Sequence, residues 1–349
     1  MNLYRLWVKV GLALAVLMGL LLWMADLLGI PHAFINGFFL LASIAGYAII
    51  GMACRTTQSE EYYVAGRRIP ALANGMATAA DWMSAASFIG LTGLLMSEGY
   101  LGDGSRAGGL AYVLGWTGGF CLLGLLFARQ INASRAITIP QMLGDLFDSL
   151  WLRRWAALGT ITCSAIYLVA QIYGIGLVAS MLSGLTFELG VFMALGGILL
   201  CSFLGGMHAV TWTQLVQCVV LVVTMLAIAI AVAWKTHGQP IVPWAAAQAM
   251  AQVNERARQI QSDPLEQSTR EMMGTAGLPH ILSRSFTTAT PGQAQRSVAW
   301  AMLFIVLVYI TASALAVLLK ESVLTELVGA RLDALPDWAD KLKLRKLGL

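Results

Sequence analysis

Apolar residues occur along this chain in long runs that short polar connections separate. About 20 apolar residues are needed for a helix to cross a bilayer. Seven or eight runs reach that length, and they lie near 10–29, 34–54, 72–97, 108–128, 156–182, 187–206, 211–234 and 298–319. The pattern therefore predicts a polytopic bundle of membrane-spanning helices and an all-α fold.

The first run has a basic start and an apolar core, as a secretory signal peptide does. Its core continues beyond the usual length, and a second apolar run begins almost at once. No small-x-small cleavage site follows the core. We therefore expect residues 1–54 to form two retained N-terminal transmembrane helices.

Arginines concentrate in the connections 55–70 and 129–155, whereas 98–107 and 183–186 carry almost no positive charge. Positively charged connections stay on the cytoplasmic side of a membrane. We expect both arginine-rich loops, and with them the basic N-terminus, to lie in the cytoplasm. The localisation that we expect is the plasma membrane of a bacterial cell.

The composition agrees with an integral membrane protein. Hydrophobic residues make up 58% of the 349 residues, charged residues 11%, and the mean hydropathy is +0.73. An ordinary soluble domain is about a quarter charged. The net charge of +4 lies mostly between the apolar runs, so it reflects membrane topology, and we expect no nucleic-acid partner. Five isolated cysteines and four scattered histidines give no metal-ligand spacing, so we expect no metal site of that kind.

One carboxylate interrupts the run "NGMATAADWMSAASFIG". Asp81 lies in its middle, and Thr78, Asp81 and Ser84 recur every three positions, which places them on one broad helical face. A charge at this depth costs roughly 2.5 to 3.5 kcal/mol on insertion scales, so it is paired, hydrated or functional. The small neighbours would leave the backbone accessible if the helix were broken here, as helices are in many secondary transporters. An aspartate that only ties helices together is the alternative.

Two further clusters contain polar residues or helix breakers. In "YLVAQIYGIG", Tyr167, Gln171 and Gly174 share a helical face, so Gln171 points into the bundle, either toward a solute or toward another helix. In "GTAGLPHILSR", Gly277 and Pro279 would interrupt a helix, although an ordinary turn is equally consistent with them. The chain has no P-loop, catalytic triad or Rossmann glycine pattern, so we expect neither an enzyme nor an organic cofactor.

An ordered series of motifs resembles the sodium:solute symporter family, and within it the branch of acetate and other short monocarboxylate permeases. The motifs run from about residue 60 to 319: "EYYVAGRRIP", "NGMATAADWMSAASFIGLTG", "AYVLGWTGGF", "ITIPQMLGDLF", "YLVAQIYGIG", "FLGGMHAVTWTQLVQ" and "GTAGLPHILSRSFTTATPGQAQRSVAW". The resemblance implies two inverted repeats of five helices, the fold of the leucine transporter. Na⁺ is the coupling ion that it implies.

The resemblance also assigns residues. The backbone carbonyls of Ala79 and Trp82 would bind the cation, with Asp81 supporting them. Gln171, Tyr173, Ser84 and Gly277 would line the solute cavity. Hard oxygen ligands suit such a cation.

The chain departs from the family at two places. The polar stretch "NERARQIQSDPLEQSTREMM" stands where the family has an apolar half-helix before "GTAGLPHI", and the eighth core helix, which brings hydroxyl ligands to the sodium site, does not follow. We therefore expect a partial symporter core at 55–319 and a charged tail at 320–349. Without the crossing, either the last span reverses its family orientation or residues 272–290 re-enter the membrane.

The leading hypothesis is Na⁺-coupled symport of a short monocarboxylate such as acetate by a chain that is incomplete, truncated or frameshifted. The alternative is a non-transporting membrane sensor or a remnant of a split symporter. Such a chain would pair with a separately encoded C-terminal half or a small membrane subunit. Expected partners are the solute, Na⁺ and membrane lipid.

Overall fold

The computed structural model describes residues 3–84, 90–97, 108–237, 271–273 and 275–329. Within these residues every regular element is helical, which confirms the predicted all-α class. The helices, in chain order, are α1 (Leu3–Leu27), α2 (His32–Ala53), α3 (Ser59–Val64), α4 (Ala71–Trp82), α5 (Leu91–Ser97), α6 (Gly109–Leu122), α7 (Ala128–Ala133), α8 (Ile139–Leu146), α9 (Leu150–Ser183), α10 (Phe187–His237), α11 (Pro279–Ser283) and α12 (Pro291–Gly329). A π-helical turn at Leu123–Phe127 joins α6 to α7.

Six segments of the described residues are long and apolar enough to span a membrane. They are Leu6–Ala25, Phe34–Ala53, Gly109–Ala133, Leu150–Ser183, Gly205–Trp234 and Pro291–Ala316. Two predicted runs differ from this set. The run at 72–97 contains α4, which ends at Trp82 after 12 residues, and the run at 187–206 is continuous with the next one in α10. Most of the polar stretch 254–273 and of the charged tail lies outside the described residues.

Local sequence determines where several helices begin and end. The Ser149 hydroxyl accepts a hydrogen bond from the Leu152 amide at 3.2 Å and caps the start of α9. Gly184 ends that helix with φ of 70°, a left-handed conformation that favours glycine. Pro70 precedes α4 in an extended conformation, as residues before a helix commonly are.

α10 bends sharply at Gly206, where φ is 52° and ψ is −142°. A Cβ atom at this position would collide with the carbonyl oxygen of Tyr62. Only glycine therefore fits both the backbone angles and the close approach of the chain at the end of α3. The bend separates the spanning second half of α10 from the first half, which packs on α9.

The core of the bundle forms around α4. Gly75 lies directly against α12, because an added Cβ would stand 2.5 Å from the Trp300 Cβ and 2.7 Å from the Ser297 carbonyl oxygen. Trp82 is buried, its indole nitrogen donates to the Tyr309 hydroxyl at 2.6 Å, and its ring meets the Phe120 ring edge-on at 5.4 Å. The second half of α10 covers another side of α4.

Contacts along α4 fix the direction of the last span. Asn74 near the start of α4 contacts Ser297, and Trp82 at its end contacts Tyr309, so α12 runs parallel to α4. Glu271 accepts a hydrogen bond from the Trp116 indole, and Trp116 packs against Trp82. Residues 271–288 therefore lead from the level of Trp82 back to the level of Asn74 before α12 begins. The segment thus runs back along the bundle, and its re-entry into a membrane stays a prediction.

The two arginine-rich loops lie at the same end of the bundle. Arg67 donates to the carbonyl oxygens of Arg135 and Ala136 at 2.7 and 2.9 Å, and Arg135 donates to the Ala289 carbonyl at 3.3 Å. Burial lowers the pKa of Arg67, with Arg135 acting in the same direction and Glu60 opposing it, but arginine stays charged at neutral pH. The location of this end in the cytoplasm stays a prediction from the charge pattern.

We expect Gly75→Ala to destabilise the bundle, because the new methyl group would push α4 away from α12. Overpacking of this kind costs roughly 1–3 kcal/mol. The apparent melting temperature of the purified protein, followed by tryptophan fluorescence in detergent, measures the effect. Gly46→Ala in α2 is the matched control, since its Cβ would have no neighbour within 4 Å. Equal melting temperatures for the two variants would contradict the close contact.

Candidate functional site

Asp81 lies in the last turn of α4 and joins that helix to two other elements. Its Oδ1 accepts a hydrogen bond from Gln214 Nε2 at 2.9 Å, and its Oδ2 stands 3.5 Å from Arg284 Nε. The Asp81 side chain is 22% exposed and the Arg284 side chain 4% exposed. A carboxylate in an apolar run thus has a buried basic partner, which offsets part of the cost of placing it there.

The Arg284 guanidinium is held from α10 as well. It donates to the Thr211 hydroxyl at 2.9 Å and to the Gln214 side-chain oxygen. Gln214 therefore accepts from Arg284 and donates to Asp81, so it bridges the two charged groups. The four side chains form one network, which we call the Asp81–Arg284 network: Asp81, Thr211, Gln214 and Arg284.

Arg284 begins a 3₁₀-helical turn, Arg284–Thr287, and every backbone carbonyl of residues 284–288 has a hydrogen-bond partner. The carbonyl oxygens of Arg284 and Ser285 accept hydrogen bonds from Asn74 Nδ2 at 3.1 Å and from Asn132 Nδ2 at 2.9 Å. The three carbonyls that follow accept from the Arg67 guanidinium at 3.4 Å, the Ile69 amide at 3.2 Å and Asn132 at 2.8 Å. Buried backbone without such partners would be costly, so these contacts allow the chain to leave the helix here.

Unpaired polar nitrogens lie on the neighbouring side of the network. The Tyr167 ring of α9 stacks on the His280 ring of α11 at 4.4 Å, and its hydroxyl shares a hydrogen bond with Ser84. Gln171 follows Tyr167 by one helical turn. Among the described residues, Gln171 Nε2 and His280 Nε2 are buried and have no hydrogen-bond partner. Buried groups of this kind usually have one, so these nitrogens mark a place for a ligand or water.

The helix break leaves two backbone carbonyls near Asp81. The carbonyl of Ala79 accepts from the Met83 amide at 3.0 Å and that of Trp82 from the Ser84 amide at 2.8 Å. Each oxygen keeps a second lone pair, because a carbonyl has two. The predicted cation ligands Ala79, Trp82 and Asp81 thus lie within one turn at the end of α4. Their role in binding a cation stays a prediction.

The predicted solute residues fall into two groups. Ser84 and Gln171 both belong to the surroundings of Tyr167, as described above. Gly277 forms an exposed turn just before α11. Tyr173 is 62% exposed, and its ring lies 5.5 Å from Phe187 at the start of α10, so the structure places it away from the other three.

Arg284, Gln214 and His280 were not among the site residues predicted from the sequence. The signal in the sequence was that Asp81 needs a partner of opposite charge. Arg284 is the basic residue within the helix-breaking motif "GTAGLPHILSR". Gln214 lies in the spanning half of α10, where an amide must also find partners. Arg284 and Gln214 could have been predicted by considering which polar side chains of the apolar runs could hydrogen-bond with one another.

A helix that ends beside a charged network inside a membrane bundle is the arrangement of a secondary transporter. The family model of the sodium:solute symporter family matches residues 62–334. The chain belongs to the sodium:solute symporter family, and it is a multi-pass membrane protein.

Two known proteins illustrate the similarity. An uncharacterized symporter of Cupriavidus necator is 35% identical over an alignment of 414 positions, which covers 86% of this chain and 60% of the relative. A solved structure titled as the substrate-bound, outward-open state of a Na⁺-coupled sialic acid symporter matches with a TM-score of 0.65 and 14% identity. That match covers 86% of this chain and 63% of the other, and at this identity it concerns the fold.

The alignment with the relative contains many unmatched positions. Because 86% of the 349 residues is about 300, roughly 110 of the 414 positions hold no residue of this chain. These gaps lie inside the alignment. The relative therefore has internal residues for which this chain has no counterpart.

We expect Asp81→Asn to lower the apparent melting temperature, since it leaves the buried Arg284 guanidinium without a counter-charge. Because Asp81 is partly hydrated, we expect a loss of about 1–3 kcal/mol, below the 3–5 kcal/mol typical of a fully buried pair. Melting curves of Asp81→Asn, Arg284→Gln and the double variant form a double-mutant cycle. Additive losses would show that the two charges do not interact. Glu188→Gln, at an exposed acid of α10, is the control for loss of one charge.

Proposed function

We propose that this chain binds a short monocarboxylate, such as acetate, together with Na⁺, as part of a cation-coupled symporter of the bacterial plasma membrane. The observation that carries the proposal is that two buried nitrogens, on Gln171 and His280, have no hydrogen-bond partner in the part of the chain that the structure describes. An unsatisfied buried donor costs about 1–3 kcal/mol. A small solute with acceptor oxygens would satisfy it.

A carboxylate suits this place better than a neutral solute does. The Gln171 amide offers donors, and Arg284 lies one helical turn after His280 with a full positive charge. Ser84 and Tyr167 close the opposite side through their shared hydrogen bond. The exposed turn at Gly277 lies at the start of the same re-entrant segment, where we propose that it borders the solute cavity, whereas Tyr173 has the weakest support.

The cation fits the end of α4. The last carbonyls of a helix carry the negative end of its dipole, and Asp81 adds a full negative charge to it. We propose that the Ala79 and Trp82 carbonyls and Asp81 supply part of the Na⁺ ligands. Oxygen atoms of this kind suit a hard cation.

The described residues supply three of the proposed Na⁺ ligands, the carbonyls of Ala79 and Trp82 and the carboxylate of Asp81. The roughly 110 unmatched positions of the relative support the loss of internal residues, in agreement with the polar stretch that replaces an apolar half-helix. We therefore propose that this chain binds its ligands weakly and does not transport alone.

One observation favours the alternative of a module with a separately encoded partner. Six consecutive residues of α9, 161–166, are all exposed, although they lie within a segment able to span a membrane. They include Thr162, Cys163 and Ser164, small residues that are typical of helix-to-helix contacts in membranes. A C-terminal half or a small membrane subunit would cover this stretch.

We expect Gln171→Leu to weaken acetate binding by about 10-fold or more, because a hydrogen bond to a charged group contributes about 1.5–3 kcal/mol. Radiolabelled acetate binding to the protein in lipid nanodiscs, with excess Na⁺, measures the change. Thr162→Val is the matched control on the same helix, since its hydroxyl bonds only to the Leu158 carbonyl among the described residues. Equal affinities of the two variants would contradict the assignment.

We expect no accumulation of labelled acetate when proteoliposomes that contain only this chain are given an inward Na⁺ gradient. The reason is the loss of internal residues relative to the symporter of Cupriavidus necator. Accumulation that collapses with the gradient would refute the proposed incompleteness and support full symport. A reconstituted relative with a complete core provides the positive control.

A further inference from the structure

The contact between Asp81 and Arg284 is a loose ion pair. Its N-to-O distance is 3.5 Å, whereas charge-assisted hydrogen bonds of this kind are about 2.7–2.9 Å long. The guanidinium also donates hydrogen bonds to two neutral acceptors, the Thr211 hydroxyl and the Gln214 side-chain oxygen. Arg284 is thus held by α10 as well as by Asp81, and the carboxylate is the partner that could be exchanged.

Asp81 lies where a cation is strongly favoured. It adds a negative charge to the C-terminal end of α4, where the helix dipole is already negative. In the structure Arg284 provides the compensating charge. Asp81 is more exposed than Arg284, so its carboxylate is the more accessible of the two charged groups.

The neighbours of Arg284 on its other side suit an anion. His280 precedes Arg284 by one helical turn, and its Nε2 is buried without a partner among the described residues. Gln171 lies one helical turn from Tyr167, whose ring stacks on His280. The Nε2 of Gln171 is also buried without a partner among the described residues. The unpartnered nitrogen of His280 lies one helical turn from the guanidinium, and that of Gln171 one turn from Tyr167 on the facing helix, so both are donors that a carboxylate at Arg284 would need.

We propose that Asp81 and Arg284 couple the cation to the solute by exchanging partners: Na⁺ takes Asp81, and the carboxylate of the solute takes Arg284. This inference rests on the proposed function and names how its two ligands would depend on each other. The network is neutral with both ligands absent and neutral with both bound. With Na⁺ alone it carries one excess positive charge, and with the anion alone one excess negative charge. Unbalanced charge is costly in an apolar surrounding, so each ligand favours the other.

The test is the reciprocal effect of the two ligands on each other's affinity, measured on the whole chain in lipid nanodiscs. Labelled Na⁺ is titrated with and without saturating acetate, and labelled acetate with and without Na⁺. Typical couplings between sites change affinity by about 5-fold to 150-fold, and we expect each ligand to strengthen the other within that range. The two factors must be equal, since coupling is reciprocal.

Variants separate charge exchange from other sources of coupling. We expect Asp81→Asn to bind acetate with an affinity that no longer depends on Na⁺, because Arg284 then lacks its carboxylate in every state. Arg284→Gln should bind Na⁺ without any effect of acetate, whereas Arg284→Lys, which keeps the charge, should keep coupling. Glu188→Gln, which removes an exposed acid of α10, should behave as the unaltered chain does. Melting temperatures identify any variant that fails to fold.

A neutral solute distinguishes charge from shape. Acetamide has nearly the size of acetate but no charge, so we expect it to leave Na⁺ affinity unchanged. If acetamide strengthens Na⁺ binding as acetate does, or if Arg284→Gln keeps full coupling in a folded protein, the exchange is refuted while the proposed function stands. If the unaltered chain binds neither Na⁺ nor acetate, the proposed function fails, and the exchange fails with it.

Discussion

The site depends on five consecutive backbone carbonyls, those of residues 284–288, which follow the end of an α-helix inside the bundle. All five have hydrogen-bond partners from other elements. Lipid provides no donors, so each carbonyl must be satisfied by the protein itself. Buried Asn74 and Asn132 supply most of the donors, from α4 and α7, and Arg67 and the Ile69 amide supply the rest. This constraint fixes the position of Arg284, and through Arg284 the surroundings of Asp81.

Two kinds of interaction meet in this region and have different consequences. The side-chain nitrogens of the two asparagines donate short, buried hydrogen bonds to this backbone, so they favour one backbone conformation. The Asp81–Arg284 contact is longer and partly hydrated, and on the other side of Arg284 two nitrogens have no partner among the described residues. The scaffold is therefore rigid where it holds the guanidinium and open where charged groups could change partners.

Much of this arrangement follows from the sequence because polar groups are rare in apolar runs. Asp81 and Gln171 could be identified for that reason, and the all-helical class follows from the length of the runs. Arg284 was missed because it lies in a segment that resembles a polar turn, and only the fold brings it to Asp81. Tyr173 lies two residues after Gln171, about 200° further round the helix, so α9 cannot present both to one cavity. The motif suggested both residues, but helical geometry separates them.

The missing side chain at Gly75 also has a mechanical consequence. With no Cβ on α4, the backbones of α4 and α12 come close enough that Trp300 and Ser297 of α12 lie directly against α4. Helices in such contact cannot slide or rotate past each other without a clash, so α4 and α12 move together as one rigid unit. Any rocking of the bundle that exposes Asp81 to one side of the membrane must carry α12 along. The backbone must then change conformation at another position, and in the described chain the bend of α10 at Gly206 is such a position.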